Sequence, residues 1–160
     1  MSNQQGFELF VERVLKAPPA KIWRCWTEPD LQGQWFCPKP WRAEIVSQDL
    51  RPGGWQAMVF HGPDGEAFDL GGVFLEIVPE KRLISTNAFA EGWIPVDHPH
   101  PGFPQLTFLE LADAPGGGTL YKWGARHWTE AHKQQHEAMG FHDGWNTCVD
   151  QLDELSQRLS

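Results

Sequence analysis

The stretch Thr119-Leu-Tyr-Lys-Trp-Gly-Ala-Arg-His-Trp128, running into Thr129-Glu-Ala-His132 and on to Leu159, decides the fold. Its first ten residues alternate. Lys122 and Arg126 share one side, and Tyr121, Trp123, Ala125 and His127 share the other. Charged side chains prefer water, so the second side is predicted to face inward. After Trp128 the period becomes helical. On a wheel of about 3.6 residues per turn, Trp145 falls in one stripe with Phe141, His142, Val149 and Leu152. Thr129 suits an N-cap, with Glu130 beside it. One long helix is predicted, from about Thr129 to Leu159, with Trp145 buried against a sheet. Gly140 and Gly144 fall inside it, where each costs about 1 kcal/mol relative to Ala. Close approach of another backbone accounts for them, with room for a ligand as the functional alternative.

Upstream, Phe7 to Leu15 alternates as a strand. Ala17-Pro18-Pro19-Ala20 ends it and starts a helix, since proline suits a first turn. Thr27-Glu28-Pro29-Asp30 breaks that helix, and a second short one follows to Trp35. Strands then dominate: about Trp41 to Ile45, Trp55 to His61, Ala67 to Val78, Leu83 to Phe89 and Gln105 to Leu111. Gly62-Pro63-Asp64-Gly65 is a hairpin signal, and Gly71-Gly72 is read as a bulge or sharp bend. The prediction is an α+β fold in one domain, residues 1–160. A curved antiparallel sheet of about six or seven strands grips a long C-terminal helix, and two short helices follow the first strand.

Composition narrows the function. The chain has 160 residues, 13 basic and 21 acidic, for a net charge of −8. No Lys/Arg cluster offers itself to nucleic acid or an anionic membrane. Residues 1–6 lack a signal-peptide core and no apolar run is long enough to span a bilayer, so a cytoplasmic location is expected. Cys25, Cys37 and Cys148 fit no zinc spacing and read as buried free thiols. His132 and His136, four apart, lie opposite Trp145 on the wheel and are expected in water. No metal and no cofactor are expected.

Several motifs, in order, resemble the family of homologues of the heat-shock-protein-90 ATPase activator. They are Ala17-Pro18-Pro19 with Ile22-Trp23, Thr27-Glu28-Pro29-Asp30-Leu31 leading to Trp35, Arg51-Pro52-Gly53-Gly54, and Gly62-Pro63-Asp64-Gly65. Gly72-Val73-Phe74-Leu75-Glu76-Ile77 with Pro79 and Arg82-Leu83 follows, and Gly144-Trp145 leading to Leu152 completes the set. The resemblance implies the helix-grip fold of the START-like, Bet v 1-like (SRPBCC) superfamily, with a cavity between helix and sheet. Members of that superfamily bind lipids, sterols, hormones or polyketide intermediates, and some are aromatase/cyclases. The family has no shared catalytic motif to carry over. Asn87 stands where similar sequences often carry an aromatic residue.

The sequence holds nine Trp and ten Phe. Wide, stiff rings suit the walls of an apolar pocket. The ligand-binding candidates are Trp23, Trp35, Trp55, Phe68, Asn87, Phe89, Tyr121, Trp123, His127, His142 and Trp145. His127 or His142 as base and Tyr121 as donor are the catalytic candidates. The first functional reading is binding of an apolar or aromatic small molecule. The second is a cyclase, dehydratase or hydrolase using the same cavity, and the third is a chaperone-modulating interaction module. Residues 91–104 carry Trp93, Ile94, Val96 and Phe103. They are read either as a lid or as a homodimer contact.

Overall fold

The computed structural model describes residues 7–160; residues 1–6, where the sequence shows no signal-peptide core, lie outside it. The chain runs β1 (Glu8–Leu15), α1 (Pro19–Thr27), α2 (Pro29–Gln32), β2 (Arg42–Gln48), β3 (Trp55–His61), β4 (Ala67–Val78) and β5 (Arg82–Thr86). A small hairpin, β6 (Phe89–Ala90) and β7 (Ile94–Pro95), precedes β8 (Gln105–Asp113), β9 (Thr119–His127), α3 (Glu130–Ala138) and α4 (Phe141–Gln157). Seven strands form one antiparallel sheet in the order β1-β9-β8-β5-β4-β3-β2. This is the helix-grip arrangement.

Local chemistry sets these elements. Pro19 opens α1 in the first turn, where no backbone N–H is needed. Gly65 takes a positive φ of 90° in the β3–β4 turn. In β9 the alternation holds: Tyr121, Trp123, Ala125 and His127 are buried. On the other face the Lys122 ammonium lies 4.3 Å from the Phe10 ring centroid, and the Arg126 guanidinium 4.5 Å from that of Phe108.

Three expectations need correction. The C-terminal helix is broken: Gly140, at φ 88° and ψ 32°, separates α3 from α4. An added Cβ at Gly140 or at Gly144 meets nothing within 4 Å, so neither glycine makes room for another backbone. Nor do Gly71 and Gly72 form a bulge. The β3–β4 register runs unbroken through them, and the irregularity in β4 lies between Phe74 and Glu76. Gly71 instead accommodates the Trp55 ring, which a Cβ there would strike at 2.2 Å.

The core has two parts. The larger packs α1 and α4 on the β1–β9–β8 half of the sheet, through Ile22, Cys25 and Trp26 of α1 and Val149, Leu152 and Leu155 of α4. Polar ties fix α4 there. Arg13 donates to Asp150 at 2.7 Å, and the Lys16 amide donates to Asp153 at 3.1 Å. Gln151 donates to the carbonyls of Trp35 and Cys37 at 3.1 and 2.8 Å. The smaller part, around Cys37, Ala43 and Met58, belongs to the β2–β3–β4 half. Because α4 seats on one half of the sheet, the curved other half stands off from it.

Candidate functional site

A cavity of about 530 Å³ occupies that stand-off. Its helical wall is Phe141, Gly144, Trp145 and Cys148, and its sheet wall includes Met58 and Phe60 of β3, Phe74 of β4 and Trp123 of β9. Phe36, from the loop after α2, contacts Trp145 edge-on at 5.1 Å. The Trp123 and Trp145 rings lie 4.0 Å apart. Exposed residues Pro38, His100 and Met139 also line the cavity and mark its open end.

The polar atoms gather in patches. Gln32, almost fully buried, accepts from Gln56 at 3.0 Å. Ser85 and Thr107 pair their hydroxyls at 2.7 Å. Asn87 donates to the His100 and Phe103 carbonyls at 2.8 and 3.0 Å and accepts from the Gln105 amide at 2.8 Å. It therefore pins the segment before β8, and its side chain is occupied in doing so.

Beside this patch stands a histidine pair. His127 Nδ1 donates to the Phe7 carbonyl at 2.7 Å, and His127 Nε2 lies 2.8 Å from His136 Nδ1. Phe103, fully buried, packs against both rings and stacks on His132 at 5.5 Å. Burial lowers the pKa of His127, and burial with the neighbouring His127 lowers that of His136 to about 4. Both are neutral at pH 7. His136 lines the cavity. Its expected place in water is therefore wrong. With the helix broken at Gly140, the phase of Trp145 says nothing about α3, and α3 turns His136 onto β9. His132 is half-buried. Among the described residues, no group of three or more His, Cys, Asp or Glu is placed to hold a metal ion.

Of the eleven sequence candidates, Asn87, Trp123 and Trp145 line the cavity. Trp145 is half-buried, with a flank open to the cavity, where full burial was expected. Trp35 is fully buried behind the wall, its Nε1 donating to the Cys25 carbonyl at 2.9 Å. Tyr121 is also behind the wall, fully buried, its hydroxyl without a partner among the described residues and its pKa pushed up by burial. Trp23 packs on the core from α1. Trp55 lies across Gly71, and Phe68 stacks on Trp41 at the rim with 48% exposure. Phe89 meets Trp93 in the small hairpin. His127 is held behind His136. His142 is exposed, 3.4 Å from Glu137, and does not stand beside Trp145 in the cavity. The catalytic candidates His127, His142 and Tyr121 do not converge.

Phe36, Met58 and Phe60 line the cavity without having been singled out, and His136, expected in water, joins them. For β3 the alternation is uninformative, because Trp55, Ala57 and Val59 on one face are as apolar as Met58 and Phe60 on the other. Phe36 follows Trp35, and a one-residue difference decides which ring fills the core and which reaches the cavity.

No helix among the described residues is long and apolar enough to cross a membrane. No curated protein matches the sequence. A crystal structure of a protein from Nitrosomonas europaea is 37% identical, with a TM-score of 0.86 over 98% of this chain and 97% of that one. Structures from Chromobacterium violaceum and Mycobacterium smegmatis, at 24% and 22% identity, share the fold with TM-scores of 0.74 and 0.78. They cover 95% and 99% of this chain, and 98% and 95% of theirs. The family model for Activator of Hsp90 ATPase homolog 1-like protein matches residues 16–157, and the chain belongs to that family.

Proposed function

We propose that this protein binds an apolar or aromatic small molecule in the cavity between α4 and the sheet. The cavity itself carries the reading. At about 530 Å³ it is in the range of small-molecule sites, and it is walled by rings with a few polar atoms. An apolar ligand would remove that surface from water and gain the hydrophobic contribution. Membership of a family with the helix-grip fold supports the same reading. The proposal takes residues 1–160 as one domain acting in the cytoplasm.

Binding ranks ahead of chemistry. A cyclase, dehydratase or hydrolase needs a base and a donor within reach of one substrate. Tyr121 is sealed behind the wall, His142 is outside, and both ring nitrogens of His127 are engaged. A chaperone-modulating module ranks third, since such a role needs no cavity. Trp93 and Ile94 are exposed on the hairpin and keep a homodimer contact as the alternative to a lid.

Native mass spectrometry of the purified protein tests the reading, with a small-molecule mass expected that is lost on denaturation. Calorimetric titration with 2-methoxynaphthalene should show one saturable site. Neither a co-purifying molecule nor saturable binding would end the proposal.

A further inference from the structure

One accessible polar atom at the cavity, His136 Nε2, is left unused by the fold. Two further atoms of lining residues lack a partner, Gln105 Oε1 and Trp26 Nε1, and both are sealed from the cavity as well as from solvent. A carbonyl oxygen only accepts, so the proton of neutral His127 is on Nδ1, facing Phe7. His127 Nε2 then carries a lone pair, and Nδ1–H of His136 donates to it. Neutral His136 is left with a bare Nε2. No described residue donates to that nitrogen, and it is not among the sealed polar atoms.

The His127–His136 pair thus offers one accessible acceptor. No Lys, Arg, Asp or Glu side chain among the described residues lines the cavity. An acceptor covered by a purely apolar ligand loses its water without replacement, while a ligand donor restores the bond. A carboxylate or phosphate would face a lone pair with no cation, at a far larger desolvation cost. The walls beside this atom are flat rings: Trp123, Trp145, Phe141 and Phe36.

We propose that the cavity selects neutral, flat, apolar molecules carrying a hydroxyl or N–H donor, which His136 Nε2 accepts. His127 is a positioning residue that sets the tautomer of His136. This rests on the binding reading above and adds the ligand class.

Three probes on one ring system test it by calorimetry: 2-naphthol, 2-methoxynaphthalene and 2-naphthoate. The wild-type protein should bind 2-naphthol about tenfold more tightly than the methyl ether, the size of one net hydrogen bond, and the carboxylate most weakly. In His136→Phe that preference should shrink. Equal affinity for 2-naphthol and its ether, or tightest binding of the carboxylate, overturns the ligand class and leaves the binding reading standing. No binding of any probe sinks both. Long-range proton–nitrogen NMR of the unmodified protein reads the tautomers directly and depends on no variant folding. Protons are expected on Nδ1 of His127 and His136; a proton on His136 Nε2 at pH 7 overturns the proposal.

Discussion

Nδ1 of His136 lies 2.8 Å from Nε2 of His127, and the far side of His127 is fixed by the Phe7 carbonyl. A residue of α3 is thereby tied through β9 to the start of β1. Protonating both rings would place two N–H groups face to face, so the tie fails once both are charged, while a single proton on His136 Nε2 leaves it in place. His132 and Lys133 of α3 add positive potential on the same side and oppose protonation further.

Acid should therefore loosen the protein before its carboxylates titrate. His136 binds a proton near pH 4 when folded and near its ordinary 6.5 when unfolded. Between those values the unfolded chain holds more protons. Stability is full above about pH 6.5 and falls as the pH drops toward about 4, by roughly 3 kcal/mol. Urea denaturation across that window should show the slope, and His136→Phe should reduce it. A flat profile in the wild-type protein would refute the buried neutral pair.

Gly144 has helical backbone, lines the cavity and has open space where a Cβ would go. Gly144→Ala should stabilise α4 by about 0.5–1 kcal/mol, because glycine costs a helix backbone entropy. Gly144→Leu should project into the void and abolish binding of 2-methoxynaphthalene while the protein stays folded. Unchanged affinity in that variant would place the ligand elsewhere.

Trp35 and Trp145 should differ in what truncation costs. Trp35 is wholly enclosed, edge-on to Trp26 at 5.0 Å, and donates its indole N–H. Trp35→Ala should cost about 3–5 kcal/mol. Trp145→Ala enlarges an existing cavity and should cost less. Equal losses in thermal denaturation would mean that Trp145 is enclosed as tightly as Trp35.

The thiols of Cys25, Cys37 and Cys148 should be inert in the native protein. Burial pushes each up to about 12, so almost no thiolate exists near pH 8. A disulfide reagent should label none rapidly in buffer and all three in denaturant. Fast native labelling of any of them contradicts that burial.

The sheet was readable because turn and strand signals agree. Gly62-Pro63-Asp64-Gly65 separates two strands whose predicted limits, Trp55 to His61 and Ala67 to Val78, match those found. The inward face of β9 was readable because Lys122 and Arg126 mark its opposite. The cavity was less legible. Trp35, Trp55 and Phe68 have the same chemistry as the rings that line it, and whether a ring fills a core, covers a glycine or faces a void depends on partners distant in sequence. His136 was misplaced because a helical wheel carries its phase only as far as the helix continues, and Gly140 ends it.

The division of the core gives the molecule one stiff jaw and one soft jaw. The β1–β9–β8 side, clamped by α1 and α4, holds most of the buried apolar side chains, while the β2–β3–β4 side rests on Cys37, Ala43 and Met58. Local opening follows the thinner packing. Amide hydrogens of β2 and β3 should exchange with deuterium well before those of β9. A guest would then enter as the soft jaw breathes, without disturbing the helix that forms the opposite wall, and its departure rate would be set by how often β2 and β3 lift.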